Sequence, residues 1–595
     1  MCGIAGFVGK DFNSITQKMT ETLGHRGPDD EGFFFDRDCQ LGFGHKRLSI
    51  VDVEFGHQPL LSDDGDLALI FNGEIFNAPT LRKSLESKGI KFLTDHSDTE
   101  VLLQMYRHYG PKMVSELNGM FSFVFFDRQK AILFGARDPF GIKPFFYSKG
   151  KDFFAFSSEV KSLLNVNGFS KSISHEAVSH YLSFQCIPSP WSIYEGINKL
   201  PAAHLFFYDL TSRELHITRY WRPTFKNTLY KEDELLEEIR NKVEGAVKQW
   251  CMSDVEFGCS LSGGLDSSVI TTLATKNFQK LKTFTVGFEG FDLLDERQVS
   301  SRVAHVCKTQ HHEVIVTENH FASELPLMVQ SLDEPYGGGL PSWFIYKEMS
   351  KHVKVCLTGT GGDELFGNYG KWRPFLNWRD YLFTIRKNWN RVGINDILKH
   401  PIGSLYWKYF TDYEKAKILK GKKISSSSLL AESYWYSFGA HNSEDGVVSV
   451  DIQLQLPEEF LNMTDRFSMH FSMEARTPFL DAELVDFVYS ISPNLRTSKA
   501  DPKSLLRKAF KDLLPKQVIE HTKRGFVLPI DAWMKSSFKD EIDEFFSPEY
   551  LKKQGIFDAS LSGLIHKHMK DEYGIEKIWT LLMFQFWYAY VYNSK

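Results

Sequence analysis

A cysteine stands directly behind the initiator methionine, in the run Met1-Cys2-Gly3-Ile4-Ala5-Gly6. Removal of a methionine before so small a side chain leaves a cysteine that carries its own free α-amino group. Nucleophile and base then share one residue. The thiolate attacks, and an amine of ordinary pKa about 7.7–8.0 takes the thiol proton near neutral pH, directly or through a water. Far along the chain, Leu261-Ser262-Gly263-Gly264-Leu265-Asp266-Ser267-Ser268 offers a different chemistry. Paired glycines let the backbone approach phosphate oxygens without a Cβ in the way, and serine hydroxyls add donors. A loop between a strand and a helix also aims N–H groups and the helix dipole at an anion. Asp266 can hold a divalent cation on that anion, and a second acidic pair, Asp363-Glu364, follows Gly361-Gly362. The loop lacks the Gly-Lys-Ser/Thr ending of a Walker P-loop.

A cysteine near a terminus is by itself weak grounds for catalysis, but its surroundings are specific. CGIAGFVG is followed in order by HRGPDDEG (25–32), HKRLSIVD (45–52), NGEIFN (72–77) and SDTE (97–100). Together these motifs resemble the N-terminal-nucleophile glutaminase domain of the glutamine-hydrolysing asparagine synthetases. The resemblance implies that Cys2 is the nucleophile, that Arg47 pairs with the glutamine α-carboxylate and that Glu74 and Asp98 hold its α-ammonium. Asn72 and the Gly73 N–H then form the oxyanion hole. Each role suits its chemistry: a guanidinium matches a carboxylate in a fork, carboxylates match an ammonium, and preorganised donors stabilise a tetrahedral oxyanion.

The loop Ser262–Ser268 resembles that of the PP-loop ATP pyrophosphatases, which cleave ATP between the α- and β-phosphates and adenylate an acceptor oxygen. DRFSMHFSMEARTPFLD (465–481), KSLLRKAF (503–510) and KRGFVLPIDAW (523–533) extend the resemblance to asparagine synthetases along the rest of the chain. It implies Mg²⁺ on Asp266 and Asp363, an adenine-edge strand at Val286-Gly287, nucleotide contacts at Leu261, Thr358 and Gly359, and Lys503 near the α-phosphate and acyl-adenylate. Glu474 and Arg476 are expected to support the site. The family usually reads Gly-Glu-Gly-Gly-Asp-Glu at the acidic turn, whereas this chain has Thr360 before Gly361-Gly362-Asp363-Glu364. A threonine cannot accept a proton near pH 7, so the acceptor site around Thr360 and Glu364 must place its base elsewhere or take a different acceptor. Gly337-Gly338-Gly339 replaces an aspartate and small polar residues, which predicts a more open pocket, and Met463 stands where the family has a lysine.

These residues need elements to position them. From Cys2 to Tyr208 short β-type runs (67–76, 120–127, 153–159) alternate with helical stretches such as 97–110, which predicts a mixed, layered α+β domain. The resemblance makes it a four-layer αββα glutaminase. A domain of residues 1–208, a linker over 209–232 and a second domain of 233–595 follow, the last opening on an amphipathic helix at 229–250. Strands at 255–261, 281–288, 312–316 and 354–359 alternate with helices, which predicts an α/β domain with a parallel sheet and ligand chemistry at the strands' carboxyl ends. After Tyr369 the pattern turns helical. Ser425–Ser428 reads as a surface loop and Ile578–Tyr592 as a buried terminal helix.

Bulk composition narrows the partners. The chain has 595 residues, 42% of them hydrophobic, and a formal charge of −5, so it folds as a multidomain globular protein with no electrostatic case for nucleic acid or an anionic membrane. Seven scattered cysteines without a CxxC pair fit a reducing cytoplasm, and no secretory signal or spanning segment is legible. The expected protein is a cytoplasmic ligase, possible as a homodimer, that uses glutamine, ATP and Mg²⁺ to amidate a carboxylate. Aspartate is the favoured acceptor, with a uronic acid or peptide-like carboxylate as the alternative. A catalytically silent binding homologue is the reading from a different class.

Overall fold

The computed structural model describes residues 2–593 apart from 167, 279, 292–294, 389–391, 407, 420, 423, 499, 521–528 and 569–571. The first domain is built on two six-stranded sheets. One has the order Asn198–Lys199, Phe146–Lys149, Phe154–Ser157, Cys2–Val8, Leu41–Arg47 and Asp30–Asp36. The other runs Leu215–Arg219, His204–Asp209, Ile132–Arg137, Gly119–Asp127, Leu67–Ile75 and Leu60–Leu61. Neighbouring strands in both are antiparallel.

The period-2 alternation of a strand explains the layering. In Leu67–Ile75 the residues Leu67, Leu69 and Phe71 point to an outer core with Leu85, Val101, Leu102 and Met105 of the helices Ala78–Glu86 and Asp98–Tyr109. Ala68 and Ile70 point the other way, into the space between the sheets, where they meet Ile4, Phe43, Phe145 and Phe156. Phe7 of the first sheet faces Ile15 and Met19 of the helix Phe12–Glu21 on the opposite outer side. Both faces of each sheet are covered, so these strands read as continuous apolar runs, and the result is the expected αββα stack. The first-domain sheet extends beyond residue 208: Leu215–Arg219, inside the segment expected as a linker, is its edge strand.

The second domain carries a five-stranded parallel sheet in the order Gln310–Val316, Lys282–Phe288, Phe257–Ser260, Val355–Leu357 and Glu474–Arg476. The fifth strand was legible only as a motif. Three residues bounded by turns carry too little periodicity to read as a strand. Helices surround the sheet, and the terminal helix Glu572–Trp587 is buried through Ile578, Trp579, Leu582 and Phe584. The serine run is a correction: Ser426 caps the helix Ser427–Tyr436, and Ser427 and Ser428 are fully buried, because a run of hydroxyls there satisfies the helix start rather than solvent. No helix among the described residues is long and apolar enough to cross a membrane.

Candidate active sites

The surroundings of Cys2 are set by strand register. Cys2 lies opposite Arg47, and its backbone N–H donates to Asn72 Oδ1 at 2.9 Å from the facing sheet. Burial pushes the Cys2 thiol up. Gly73 has φ +155°, and a Cβ there would strike the Met120 carbonyl oxygen, so the strand keeps its course only with glycine. The Arg47 guanidinium is steadied by the carbonyls of Val53 and Val51, both at 3.2 Å, and of Asp52 at 2.6 Å. Two buried polar atoms beside Cys2 have no hydrogen-bond partner, Asn72 Nδ2 and Glu74 Oε2, as expected of groups shaped to meet a ligand. Burial, then the neighbouring Asp98 and Glu474, raises the Glu74 carboxyl well above its usual range, and burial raises Asp98, which accepts from the Ile75 N–H at 3.0 Å. Two acids held close in a dry site suit a cation. Arg47 and Asn72 thus lie against Cys2, Gly73 and Glu74 follow Asn72 on its strand, and Asp98 stands beside Glu74.

Sequence reasoning missed Arg26, the arginine of HRGPDDEG. It is fully buried, its Nε donates to the Cys2 carbonyl at 3.0 Å, and its other nitrogens meet Glu159 at 3.0 Å and Asp465 at 2.8 Å and 3.2 Å. Asp465 belongs to the second domain. So do Glu474 and Arg476, paired at 2.5 Å, and Arg476 reaches Glu74 at 3.9 Å. Burial pushes the Glu474 carboxyl up, but surrounding cations, Arg476 and Lys143 among them, outweigh it and bring the group down to about 2. Only the position of the HRGPDDEG motif could have signalled Arg26, since no spacing rule connects residue 26 with residue 465.

The second site lies at the carboxyl ends of the parallel strands. The chain leaves Phe257–Ser260, passes Ser262, turns at Gly263 (φ +80°) and opens the helix Leu265–Ala274. Ser267 Oγ lies 3.1 Å from Ser262 Oγ, and the buried Ser268 Oγ has no hydrogen-bond partner. Lys503 joins the two acidic motifs: its Nζ is 2.5 Å from Asp266 Oδ2 and 2.5 Å from Asp363 Oδ1. The next turn is equally tight. A Cβ at Gly359 would lie 2.8 Å from the Ser267 N–H and one at Gly362 2.7 Å from Asp266, so the glycines let the two loops touch. Thr358 Oγ1 donates to Thr360 Oγ1 at 3.1 Å.

A cavity of about 430 Å³ opens here, lined by Ser262, Asp266, Thr360, Asp363, Glu364 and Glu459 among others. Burial, then Asp363, raises the Glu364 carboxyl to about 7, and burial raises Glu459 likewise to about 7. The Tyr369 hydroxyl donates to Glu364 at 3.2 Å. Glu459, which sits on a π-helical turn over Leu456–Leu461, was not foreseen. The triple glycine does not leave open space: a Cβ at Gly338 would lie 2.6 Å from the Tyr336 hydroxyl and 3.0 Å from Glu459, and one at Gly339 2.7 Å from Met463. Those side chains fill the room the glycines vacate. Leu261, Ser268, Val286 and Gly287 are buried and do not line the cavity, and of KRGFVLPIDAW the residues 523–528 lie outside the described residues.

Two carboxylates converging on one cationic group are a donor set that fits Mg²⁺, which takes one or two protein carboxylates and completes its shell with water and substrate phosphates. No group of three or more His, Cys, Asp or Glu suited to a metal occurs among the described residues.

Comparison with known proteins finds a family for each domain. Residues 1–221 match the family described as "Glutamine amidotransferase domain" and residues 238–589 the family described as "Asparagine synthase". The chain therefore belongs to the asparagine synthase family. It is 34% identical to asparagine synthetase [glutamine-hydrolyzing] 1 of Bacillus subtilis, over 99% of this chain and 96% of that one. Asparagine synthetase [glutamine-hydrolyzing] 3 of the same organism is 30% identical over 91% of each.

Proposed function

We propose that the chain is a glutamine-dependent ligase that amidates a carboxylate activated by ATP, with aspartate as acceptor and asparagine as product. The observation that carries this reading is the Lys503 bridge between Asp266 and Asp363 beside the glycine loop, in a chain whose other domain gathers Asn72, Glu74 and Arg47 around Cys2. The names of its relatives support glutamine as nitrogen donor. The cysteine pattern supports the cytoplasm as its compartment.

In the first site Arg47 binds the glutamine α-carboxylate, and Glu74 with Asp98 binds the α-ammonium, whose charge lowers their raised carboxyl pKa values on binding. The Cys2 thiolate attacks the amide carbon, and its α-amino group takes the thiol proton. Asn72 Nδ2 and the Gly73 N–H stabilise the oxyanion, the C–N bond breaks to release ammonia, and water then hydrolyses the thioester. In the second site Ser262, Ser267 and the glycine-loop N–H groups bind the phosphates, with Thr358 and Gly359 lining the nucleotide's bed and the buried Leu261, Ser268, Val286 and Gly287 supporting it from outside the cavity lining. Asp266 and Asp363 would hold Mg²⁺, which would neutralise charge on the departing pyrophosphate. Lys503, which bridges the two carboxylates here, would turn toward the α-phosphate and steady the charge that builds there as the acceptor carboxylate attacks. Ammonia then attacks the acyl carbon, AMP leaves with the C–O bond's electron pair, and the nitrogen's surplus proton needs an acceptor. Thr360 cannot take it. Glu459, facing the cavity beside Met463, is the group we assign to that transfer, with Glu364 held by Tyr369.

Thr360 lines the cavity where the family usually has a glutamate, and this favours a second reading, in which the acceptor is a larger carboxylate such as a uronic acid or a peptide-like metabolite. Pyrophosphate release measured with glutamine and Mg–ATP across a panel of carboxylates separates the two. Turnover of aspartate above all others supports the first reading, turnover of a larger carboxylate alone supports the second, and no release with any of them rejects both.

A further inference from the structure

The whole-chain charge of −5 conceals a local reversal. Residues 371–400 carry seven lysines and arginines against two acidic residues. Within this stretch the helix Trp378–Asn388 is amphipathic in an unusual sense, because its exposed face is not its polar face. The exposed positions fall in two adjacent rows at helical spacing, Trp378-Leu382-Arg386 and Arg379-Phe383-Lys387. Trp378 is 67% exposed, Leu382 51% and Phe383 70%. A helix of a globular protein normally turns such residues inward.

The next helix, Ile394–Lys399, is tied to this one through the Tyr381 hydroxyl, which donates to the Pro401 carbonyl at 3.1 Å. It leaves Ile394 52% and Leu398 75% exposed, next to the exposed Lys399. The Arg379 guanidinium lies over the Trp378 ring, 5.4 Å from its centroid. A cation stacked on an exposed indole keeps both at one level, which is how amphipathic side chains sit at the boundary between headgroups and acyl chains.

We propose that the exposed face of Trp378–Asn388 docks the protein on an anionic lipid surface, with Trp378, Leu382 and Phe383 entering the headgroup boundary and Arg379, Arg386 and Lys387 meeting lipid phosphates. Charge complementarity selects this occupant. A second copy of the chain related by a two-fold axis would set Arg386 and Lys387 against like charges, whereas an anionic bilayer offers apolar depth and negative charge at one surface. Eleven residues are too few to cross a bilayer, so the helix lies in the interface plane.

Vesicle flotation of the full chain tests this. Vesicles of equal parts phosphatidylcholine and phosphatidylglycerol are expected to carry the protein at low salt, and phosphatidylcholine alone to carry at least about ten-fold less. The double variant Trp378→Ser/Phe383→Ser and the triple variant Arg379→Gln/Arg386→Gln/Lys387→Gln should each lose at least about ten-fold in binding. Both should keep the parent's circular dichroism spectrum and thermal midpoint, since all five side chains are exposed. The proposal is overturned if the parent ignores anionic vesicles, or if both variants bind as the parent does. It is likewise overturned if sedimentation velocity shows a parent dimer that Trp378→Ser/Phe383→Ser converts to monomer, which would make the face a contact between copies.

Discussion

In the proposed reaction Cys2, Asp266, Asp363 and Glu459 divide the chemistry among side chains that lie in two separate places, and that separation makes residue-scale predictions sharp. Cys2→Ala should abolish amide formation from glutamine while leaving formation from added ammonia within about two-fold of the parent, because the second site does not use the thiol. Parallel assays with the two nitrogen sources check this. Asp266→Asn and Asp363→Asn should each lower pyrophosphate release by about 10²-fold, about 3 kcal/mol, the scale of one electrostatic interaction removed from a transition state. Glutamine hydrolysis should persist in both. Glu459 has a defined pH signature. Its carboxyl is raised to about 7 by burial, so it is protonated and idle below that pH and available as a base above it. Amide formation should therefore rise with pH through about 7 in the parent. In Glu459→Gln that limb should vanish and the plateau fall by about 10²-fold, and Thr360→Glu placed in the same background should restore part of it. A Gln variant with the parent's pH profile would remove Glu459 from the reaction.

Among the elements, the strand Leu67–Ile75 bears the heaviest constraint, since both its faces pack into cores and its end holds Asn72 and Gly73, the proposed oxyanion donors. Gly73 has no freedom, because any side chain at φ +155° is strained and its Cβ meets the Met120 carbonyl. Gly73→Ala should cost the first domain roughly 2 kcal/mol or more and abolish glutamine hydrolysis, while ammonia-dependent synthesis survives. Denaturant unfolding read beside both activities checks it. Equal loss of the two activities would show that the strand supports the whole molecule rather than one site.

Across the molecule, the domains are joined through charge buried away from water. Arg26 ties the Cys2 carbonyl to Asp465, and Asp465 opens a stretch whose preceding residues, Met463 and Thr464, line the second cavity. Removing Asp465 leaves the buried Arg26 with Glu159 and takes a carboxylate from the buried Lys143, and breaking a buried pair costs about 3–5 kcal/mol. Asp465→Asn should accordingly destabilise the protein by that order. Arg26→Met/Asp465→Leu, which removes both charges, should be milder, and added salt should change neither result much because the pair is screened from solvent. Chemical unfolding of both variants at low and high salt measures this, and a double variant worse than the single one would show that the pair is held for stability.

Local pattern determined a good deal. A continuous run of apolar β-formers made 67–76 a strand wherever it went, glycines at 263 and 264 required a loop that approaches something closely, and the ordered motifs after Cys2 gave, by resemblance, the residues proposed for the first site. These are properties of neighbours in the chain, so they survive without a third dimension. The tertiary structure decided what is set by residues far apart in sequence. It brought Lys503 between Asp266 and Asp363, Asp465 to Arg26, and a three-residue strand at 474–476 to the edge of the sheet beside Glu74. It also filled the space left by three glycines with Tyr336, Glu459 and Met463, and turned Trp378, Leu382 and Phe383 outward beside cations that the whole-chain charge averages away. Contacts across hundreds of residues depend on how completed elements pack, and packing is a collective property that no window of sequence contains.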